Sequence, residues 1–552
     1  MRANRADYGA VDELGELSAA ERLTLLEGGA GEGGAERLRA PTLRTSVTAA
    51  AMARREQAPS EHSELAQLVI LLAACALAAT TAAVSCSLVP LFESLRAAVG
   101  FSSFQVTCLS VAPLILSSIA ALVVNNFVHC SALWDVLAWA AMSLALGSWV
   151  SACAVYGSPL EYMMCGQLFV AVSISMLAAV PAKISSFWLP KDKQGVASTL
   201  WVTAILLGMG LPFLIVPQLV GGDGEGRHLG AFLIWRAVCT TGVVAGVIGL
   251  RAGMVPNEGP ERDEARLYKY GANQELDRSV HDLFKNGRLL AVVVSLALAL
   301  GAAFSFYIAM PYVLSLAPHN YSPLEAGHIL WTLTPMGILG VLVVRSPWFF
   351  NVHGVRRFKP ALLVSVAGIG VWISIVLMVL ERTNQVGLAV ISGCVYVFAA
   401  ALAYLSMHVT AELAFPLPDH VTAPVVAAVM SLIIGLCPLI TITLTHPFVP
   451  EYATENESPT GFILSYGAIF WLVLLAMGFA GLMLAFSDDE RLATIDSHPK
   501  LVVHVTDRVA EDLAQARAFS ELVIPMPERL MREEGLSSQA MYPQPASRWP
   551  GP

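Results

Sequence analysis

The sequence predicts an all-α membrane protein, with twelve transmembrane helices arranged as two six-helix bundles, and three observations lead there. Hydrophobic residues make up 56% of the 552 and charged residues only 14%, far from the roughly 25% charged residues of soluble domains. Mean hydropathy is +0.63 over the whole chain, more than one anchor segment supplies. The apolar runs reach about twenty residues, the length a helix needs to cross a hydrocarbon core, and they lack the period-2 alternation of a barrel strand.

Taken in order, residues 1–62 are rich in Ala, Gly and Glu and predict a disordered cytoplasmic tail. No charged stretch there leads into a short apolar run, so no cleaved signal is expected. Spans follow near 66–90, 103–125, 132–154, 160–181, 195–219 and 230–250, the N-terminal bundle within 63–250. A polar cytoplasmic loop at 251–288 precedes spans near 289–312, 326–345, 361–380, 386–408, 423–445 and 463–486, the C-terminal bundle within 289–486. Residues 487–552 form a second polar cytoplasmic tail, in which 503-VHVTDRVAEDLAQARAFSELV-523 has an amphipathic pattern.

Charge orients the spans. Placing both termini in the cytoplasm puts all but Arg96, Arg227, Arg236 and Arg382 of the 33 basic residues on that side, as the positive-inside tendency requires. The sequons Asn320-Tyr321-Ser322 and Asn456-Glu457-Ser458 then face outward, making Asn320 and Asn456 glycosylation candidates. In the first tail, 21-ERLTLL-26 fits an acidic dileucine pattern, so Glu21, Leu25 and Leu26 are candidates for a sorting adaptor. Plasma membrane and endosomal or lysosomal membrane are both compatible with these signals.

The nine cysteines lie in or beside apolar runs without a CxxC and read as small helix residues. The net charge of -9 is concentrated in the tails and central loop, giving no case for nucleic acid. No metal-ligand triad, nucleophile constellation or phosphate loop is present, so neither an enzyme nor a cofactor or metal is expected. The expected partners are membrane lipid and a small-molecule substrate, and the expected state is a monomer.

Two loops echo each other. The stretch 183-KISSFWLPKDKQGVASTLW-201 interrupts the apolar sequence with Lys and Asp around a Leu-Pro, and 411-AELAFPLPDHVTAPVV-426 does the same in the second half. Equivalent cytoplasmic turns in two parallel six-span repeats describe the major facilitator architecture, in which solute sites lie near the midplane at the repeat interface.

Particular residues carry a narrower resemblance. The run 166-GQLFVAVSISMLAAVPAKISSFWLPKDKQGVAST-199, the segment 412-ELAFPLPDHVTAPVV-426, 279-SVHDLFKNGRLL-290 and Phe92-Glu93 resemble the feline leukaemia virus subgroup C receptor-related transporters, over about 66–486. The resemblance implies a transporter of small organic solutes; haem, choline, ethanolamine and pyridoxine are associated with the family. It also implies a helix 1 Trp and a helix 7 Tyr as an aromatic wall for a quaternary ammonium, with Gln from helices 5 and 11, and here those positions hold Ala82, about Ser305, Leu206 and about Leu432. Losing the wall counts against choline, since cation–π contacts are worth about 0.5 to 2 kcal/mol per ring. The 2/3 loop, 126-NFVHCSALWDV-136, lacks the usual superfamily glycine and basic residue.

Candidate cavity residues near the midplane are Thr203 on span 5, Phe304, Ser305 and Tyr307 on span 7, Trp331 and Thr334 on span 8, Tyr404 on span 10 and Ser431 on span 11. For each, the competing reading is helix packing. Ionisable groups in or at the ends of spans are Asp135, Glu161, Lys183, Arg236, His328, His408 and Glu412, and such groups mark function by default. His408 and Glu412 share a helix face; they are either a proton-coupled gate or an interfacial pair closing a helix end. Lys183, Lys191 and Asp192 are gate candidates, as salt bridges or lipid-phosphate contacts. Gly208, Gly210, Pro212 and Pro217 on span 5, with Gly435 and Pro438 on span 11, predict close-packed or bent helices. His319 with Met310 and Tyr312 is the one cluster suggestive of haem contact.

Overall fold

The computed structural model describes residues 64–189, 193–220, 228–254, 283–315, 321–346, 358–380, 384–414, 419–445 and 459–486. Lys191, Asp192, His319, Asn320, Asn456 and the dileucine residues Glu21, Leu25 and Leu26 lie outside them. The regular elements are helical throughout. Twelve are long and apolar enough to cross a membrane: α1 Glu64–Cys86, α2 Ser103–Cys130, α3 Leu133–Ala152, α4 Pro159–Leu177, α5 Gln194–Val220, α6 Leu229–Met254, α7 Gly287–Ser315, α8 in two parts (Pro323–Trp331 and Leu333–Arg345), α9 Phe358–Val379, α10 Gln385–Ala414, α11 Asp419–Thr445 and α12 Pro459–Ala485. This is a multi-pass membrane protein.

Local chemistry sets the ends. Ser102 accepts from the Gln105 amide at 3.2 Å while its own amide donates to the Gln105 side chain at 2.8 Å, a capping box that starts α2. Ser322 and Glu325 repeat the device at the start of α8, with Pro323 in the first turn. α1 ends at Cys86, before the predicted 90, because Pro90 cannot continue the hydrogen-bond ladder. The chain instead turns at Ser87–Leu88, makes a tight turn at Val89–Leu91 and starts a short helix, Phe92–Val99. That helix stops at Gly100, whose φ of 74° is left-handed and whose amide donates to the Arg96 carbonyl at 3.0 Å. At the other extreme α10 runs on to Ala414, which places His408 inside the helix. α8 is jointed at Thr332, whose hydroxyl donates to the carbonyls of Ile329 at 2.6 Å and of Ala389 on α10 at 3.1 Å.

Helix pairing repeats with an offset of six. α1 packs on α5, α2 on α4, and α3 on both α4 and α6; correspondingly α7 packs on α11, α8 on α10, and α9 on both α10 and α12. The two sets meet where α2 lies against α11 and α5 against α8, contacts that exchange with each other under the same offset. Eight of the nine cysteines are free thiols within the described side chains, in line with their reading as helix residues.

Call the end at which α1 starts the near end. Polar side chains tie helix termini together there. Lys183 after α4 donates to the Ser131 carbonyl at 2.7 Å, fixing the 2/3 turn, and Arg251 on α6 pairs with Asp135 on α3 at 2.5 Å. Lys359 donates to the Phe486 carbonyl at 2.9 Å beyond α12, and the Arg288 guanidinium lies 5.5 Å from the centre of the Phe486 ring. Each places positive charge where a helix ends, the favourable sign for the helix dipole.

Small residues let the backbones approach. A Cβ on Gly208 of α5 would sit on the Ala79 carbonyl of α1, whereas one on Gly246 of α6 would meet nothing within 4 Å. Gly208→Ala is therefore expected to destabilise the folded chain by about 1 to 3 kcal/mol through overpacking. Gly246→Ala should stabilise it by roughly 0.5 to 1 kcal/mol through helix propensity. Thermal unfolding of the two variants in one detergent checks the opposite signs.

Candidate functional site

The α5–α8 seam is built around two prolines. Pro212 and Pro217 lie inside α5, and proline has no amide hydrogen to offer the carbonyl four residues back. For Pro217 that carbonyl is Phe213's, and the bare Cα of Gly327 on α8 packs directly against it: a Cβ there would collide with the Phe213 oxygen. A Cα–H···O contact of this kind gives the carbonyl a weak donor. One turn further, the carbonyl of Met209, beside the Pro212 kink, accepts the Tyr307 hydroxyl of α7 at 2.7 Å.

Tyr307 is the hub of the seam. It is 1% exposed, meets Phe213 edge-on at 5.1 Å, stacks on Phe304 at 5.8 Å and tilts against Tyr396 of α10 at 5.8 Å. Its side chain also hydrogen-bonds Cys86 of α1. One ring thus links α1, α5, α7 and α10. Toward the near end, Tyr404 of α10 shares a side-chain hydrogen bond with Thr199 of α5 and packs on His408 at 4.7 Å. At the far end Phe92 lies 5.0 Å from Tyr312 of α7, and the Arg96 guanidinium is 5.9 Å from that ring's centre. Side chains thus bridge the seam on both sides of Tyr307.

Beside the hub lies a cavity of about 200 Å³, walled by α1, α2, α4 and α5 and by Phe304 of α7. Its polar wall residues are Thr81, Ser85, Cys86 and Ser110; Trp201 and Phe304 supply aromatic faces. No Lys, Arg, His, Asp or Glu is among the described wall residues. The Ser85 hydroxyl donates to the Thr81 carbonyl at 2.8 Å and Ser110 to the Val106 carbonyl at 2.9 Å, so both meet a ligand mainly through lone pairs. Trp201 adds an indole N–H donor. Among the described residues no group of three or more His, Cys, Asp or Glu could hold a metal.

Of the eight candidate cavity residues, Phe304 is in this wall. Tyr307 lies behind it at the hub. Ser305 is buried, donates to the Gly301 carbonyl at 2.7 Å and borders a narrower, water-sized cleft of about 30 Å³ near Tyr312. Thr334 is buried and packs on Gly210 of α5. Thr203, Trp331 and Ser431 are half-buried, and Tyr404 belongs to the near-end cluster. Glu412 is exposed where His408 is half-buried, so their shared helix opens onto two environments. Of the positions matched to the family's aromatic wall and glutamines, Ala82 lines the cavity, Leu206 packs against Gly337, and Leu432 is exposed. Trp201, Thr81, Ser85 and Ser110 were not among the sequence candidates. The i, i+4 spacing of Thr81 and Ser85 on α1 was the available signal.

No family model matches the chain. The chain is 24% identical over 304 residues to Solute carrier family 49 member A3 of Xenopus tropicalis, covering 54% of this chain and 59% of that protein. It is 25% identical over 206 residues to the Choline/ethanolamine transporter FLVCR2 of Homo sapiens, covering 36% of this chain and 38% of that one. The matched segments thus span less than two thirds of either relative. Among solved structures, the xylose transporter XylE from E. coli, in a partially occluded inward-open conformation, superposes with a TM-score of 0.51 at 13% identity over 76% of this chain and 97% of that one. The chain has the major facilitator fold. At low identity, the sequence matches support the feline leukaemia virus subgroup C receptor-related branch of that superfamily. The relatives and the structural neighbour are named as solute carriers or transporters, not as enzymes.

Removing the hub bond tests the seam. Tyr307→Phe keeps the ring and deletes the hydroxyl's bonds to the Met209 carbonyl and to Cys86, the first alone worth about 1 kcal/mol or about fivefold in the population of the parted seam. In a chain whose only cysteine is Cys86, alkylation of that buried thiol is expected to quicken by about that factor.

Proposed function

We propose that this chain carries a compact organic solute across a membrane by alternating access, the seam between the α1–α6 and α7–α12 bundles opening first at one end and then at the other. The observation that carries the reading is the cavity at the seam, walled by four helices of one bundle and capped by Phe304 of the other. Its place matches the midplane sites of secondary transporters. The domain division is the one drawn from sequence: 63–250 and 289–486 as bundles, with cytoplasmic segments at 1–62, 251–288 and 487–552. In this orientation the near end is cytoplasmic, and the membrane is the plasma membrane or an endosomal or lysosomal one.

The wall bears on the substrate. A cavity of about 150 Å³ is known to hold benzene, so one of about 200 Å³ suits a one- or two-ring molecule or a short-chain amine. It offers haem neither a histidine ligand nor basic groups for the propionates. Choline and ethanolamine are what the human relative's name assigns to it. For a cation here, burial costs several kcal/mol, while Trp201 and Phe304 return about 0.5 to 2 kcal/mol each. The balance favours an uncharged, vitamin-sized solute over choline.

Uptake and efflux of labelled choline, ethanolamine, pyridoxine and haem, measured at two pH values in cells with and without the chain, test this. Saturable flux of the uncharged compound and none of haem is expected. Binding without flux in either direction would replace the transporter with a receptor on the same scaffold. Ala82→Trp should cut kcat/KM for the uncharged solute by roughly tenfold or more by filling the pocket, and move choline the opposite way by restoring an aromatic face.

A further inference from the structure

Arg236 on α6 is a charged side chain inside a membrane span, 4% exposed. Its Nη1 donates to the Ser87 hydroxyl at 2.9 Å, and its Nε has no partner. Among the described side chains no carboxylate pairs with it. A guanidinium so placed needs a reason, because intramembrane charge is costly and is kept where it acts.

The reason lies in what Ser87 is. It stands at the turn where α1 breaks, one residue past Cys86, and its own hydroxyl donates to the Val84 carbonyl at 2.8 Å. Everything beyond this turn, the tight turn Val89–Leu91 and the helix Phe92–Val99, forms the tip that reaches across to α7. Phe92 meets Tyr312 there and Arg96 covers the same ring. Arg236 therefore holds the tip at its pivot from outside the seam through the hydroxyl of Ser87.

We infer that Arg236 is a positioning residue for the far-end gate: by holding Ser87 it sets the angle of the α1 tip and so keeps Phe92 against Tyr312 in the closed state. Arg236 touches neither the cavity wall nor the aromatic pair and acts through the break in α1. The inference rests on the alternating-access reading, of which it supplies one latch.

The test uses the full chain in nanodiscs, its native cysteines replaced, with Ala309→Cys as reporter; Ala309 borders the cleft next to Tyr312. Arg236→Met and Ser87→Ala should each speed labelling of that cysteine by an impermeant maleimide about tenfold, the loss expected for a hydrogen bond to a charged group. The two changes together should do no more than either alone, and Arg236→Lys, which can still donate to Ser87, should stay near the parent rate. Unchanged labelling in folded variants, judged by their melting temperature, would overturn the latch, as would effects that multiply. Should Arg236→Met not fold, Ser87→Ala carries the comparison with the parent. Absence of flux in the parent chain would instead sink the transport reading while leaving the labelling result intact.

Discussion

A proline within a lipid-buried helix leaves a carbonyl without its usual donor, and α5 contains two. In hydrocarbon an unsatisfied peptide group costs several kcal/mol, so those carbonyls need partners from outside the helix. For Pro217 the partner comes from the other bundle, the side-chain-free Cα of Gly327 against the Phe213 carbonyl; beside Pro212, the hydroxyl of Tyr307 from that same bundle reaches the Met209 carbonyl at 2.7 Å. The seam is therefore specified by backbone chemistry before any side-chain packing is counted. Such contacts are weak one by one, which suits the parting and re-forming of the seam proposed above.

The architecture was plain in the sequence for a physical reason. Length and apolarity alone decide that a segment spans, and basic residues mark which loops share a side, so twelve spans and an even division into six and six could be read without a structure. Small shifts at the ends had identifiable causes, such as Pro90 shortening α1. What could not be read was which way each helix faces. A helix apolar on every side, as α12 is, carries no periodic stripe to show which face is lined and which is packed. Phe304 borders the cavity; so does Trp201, only two residues from the candidate Thr203, and a rotation of two residues is about half a turn, which polarity alone does not reveal. Tyr307 and Thr334 are polar groups near the midplane; the Tyr307 hydroxyl is consumed in joining helices, and Thr334 packs on Gly210.

The cavity and the near-end contacts divide the chemistry of the protein in two. Around the cavity, hydroxyls are turned back onto their own helices and ionised groups are absent from the described wall, which keeps the interior of low polarity and undemanding of counterions. Charge is instead placed at helix ends, where Lys183, Arg251 and Lys359 meet carbonyls or a carboxylate. Arg236 departs from this division, and the break in α1 is what it serves.

The joint in α8 divides its packing between two helices. Thr332 fastens its midpoint to the backbone of α10 through the Ala389 carbonyl, while Gly327 sits above that point and Arg345 far below it. With that bond at half height, the part of α8 on the far-end side of Thr332 packs chiefly on α5 and the part on the near-end side chiefly on α10.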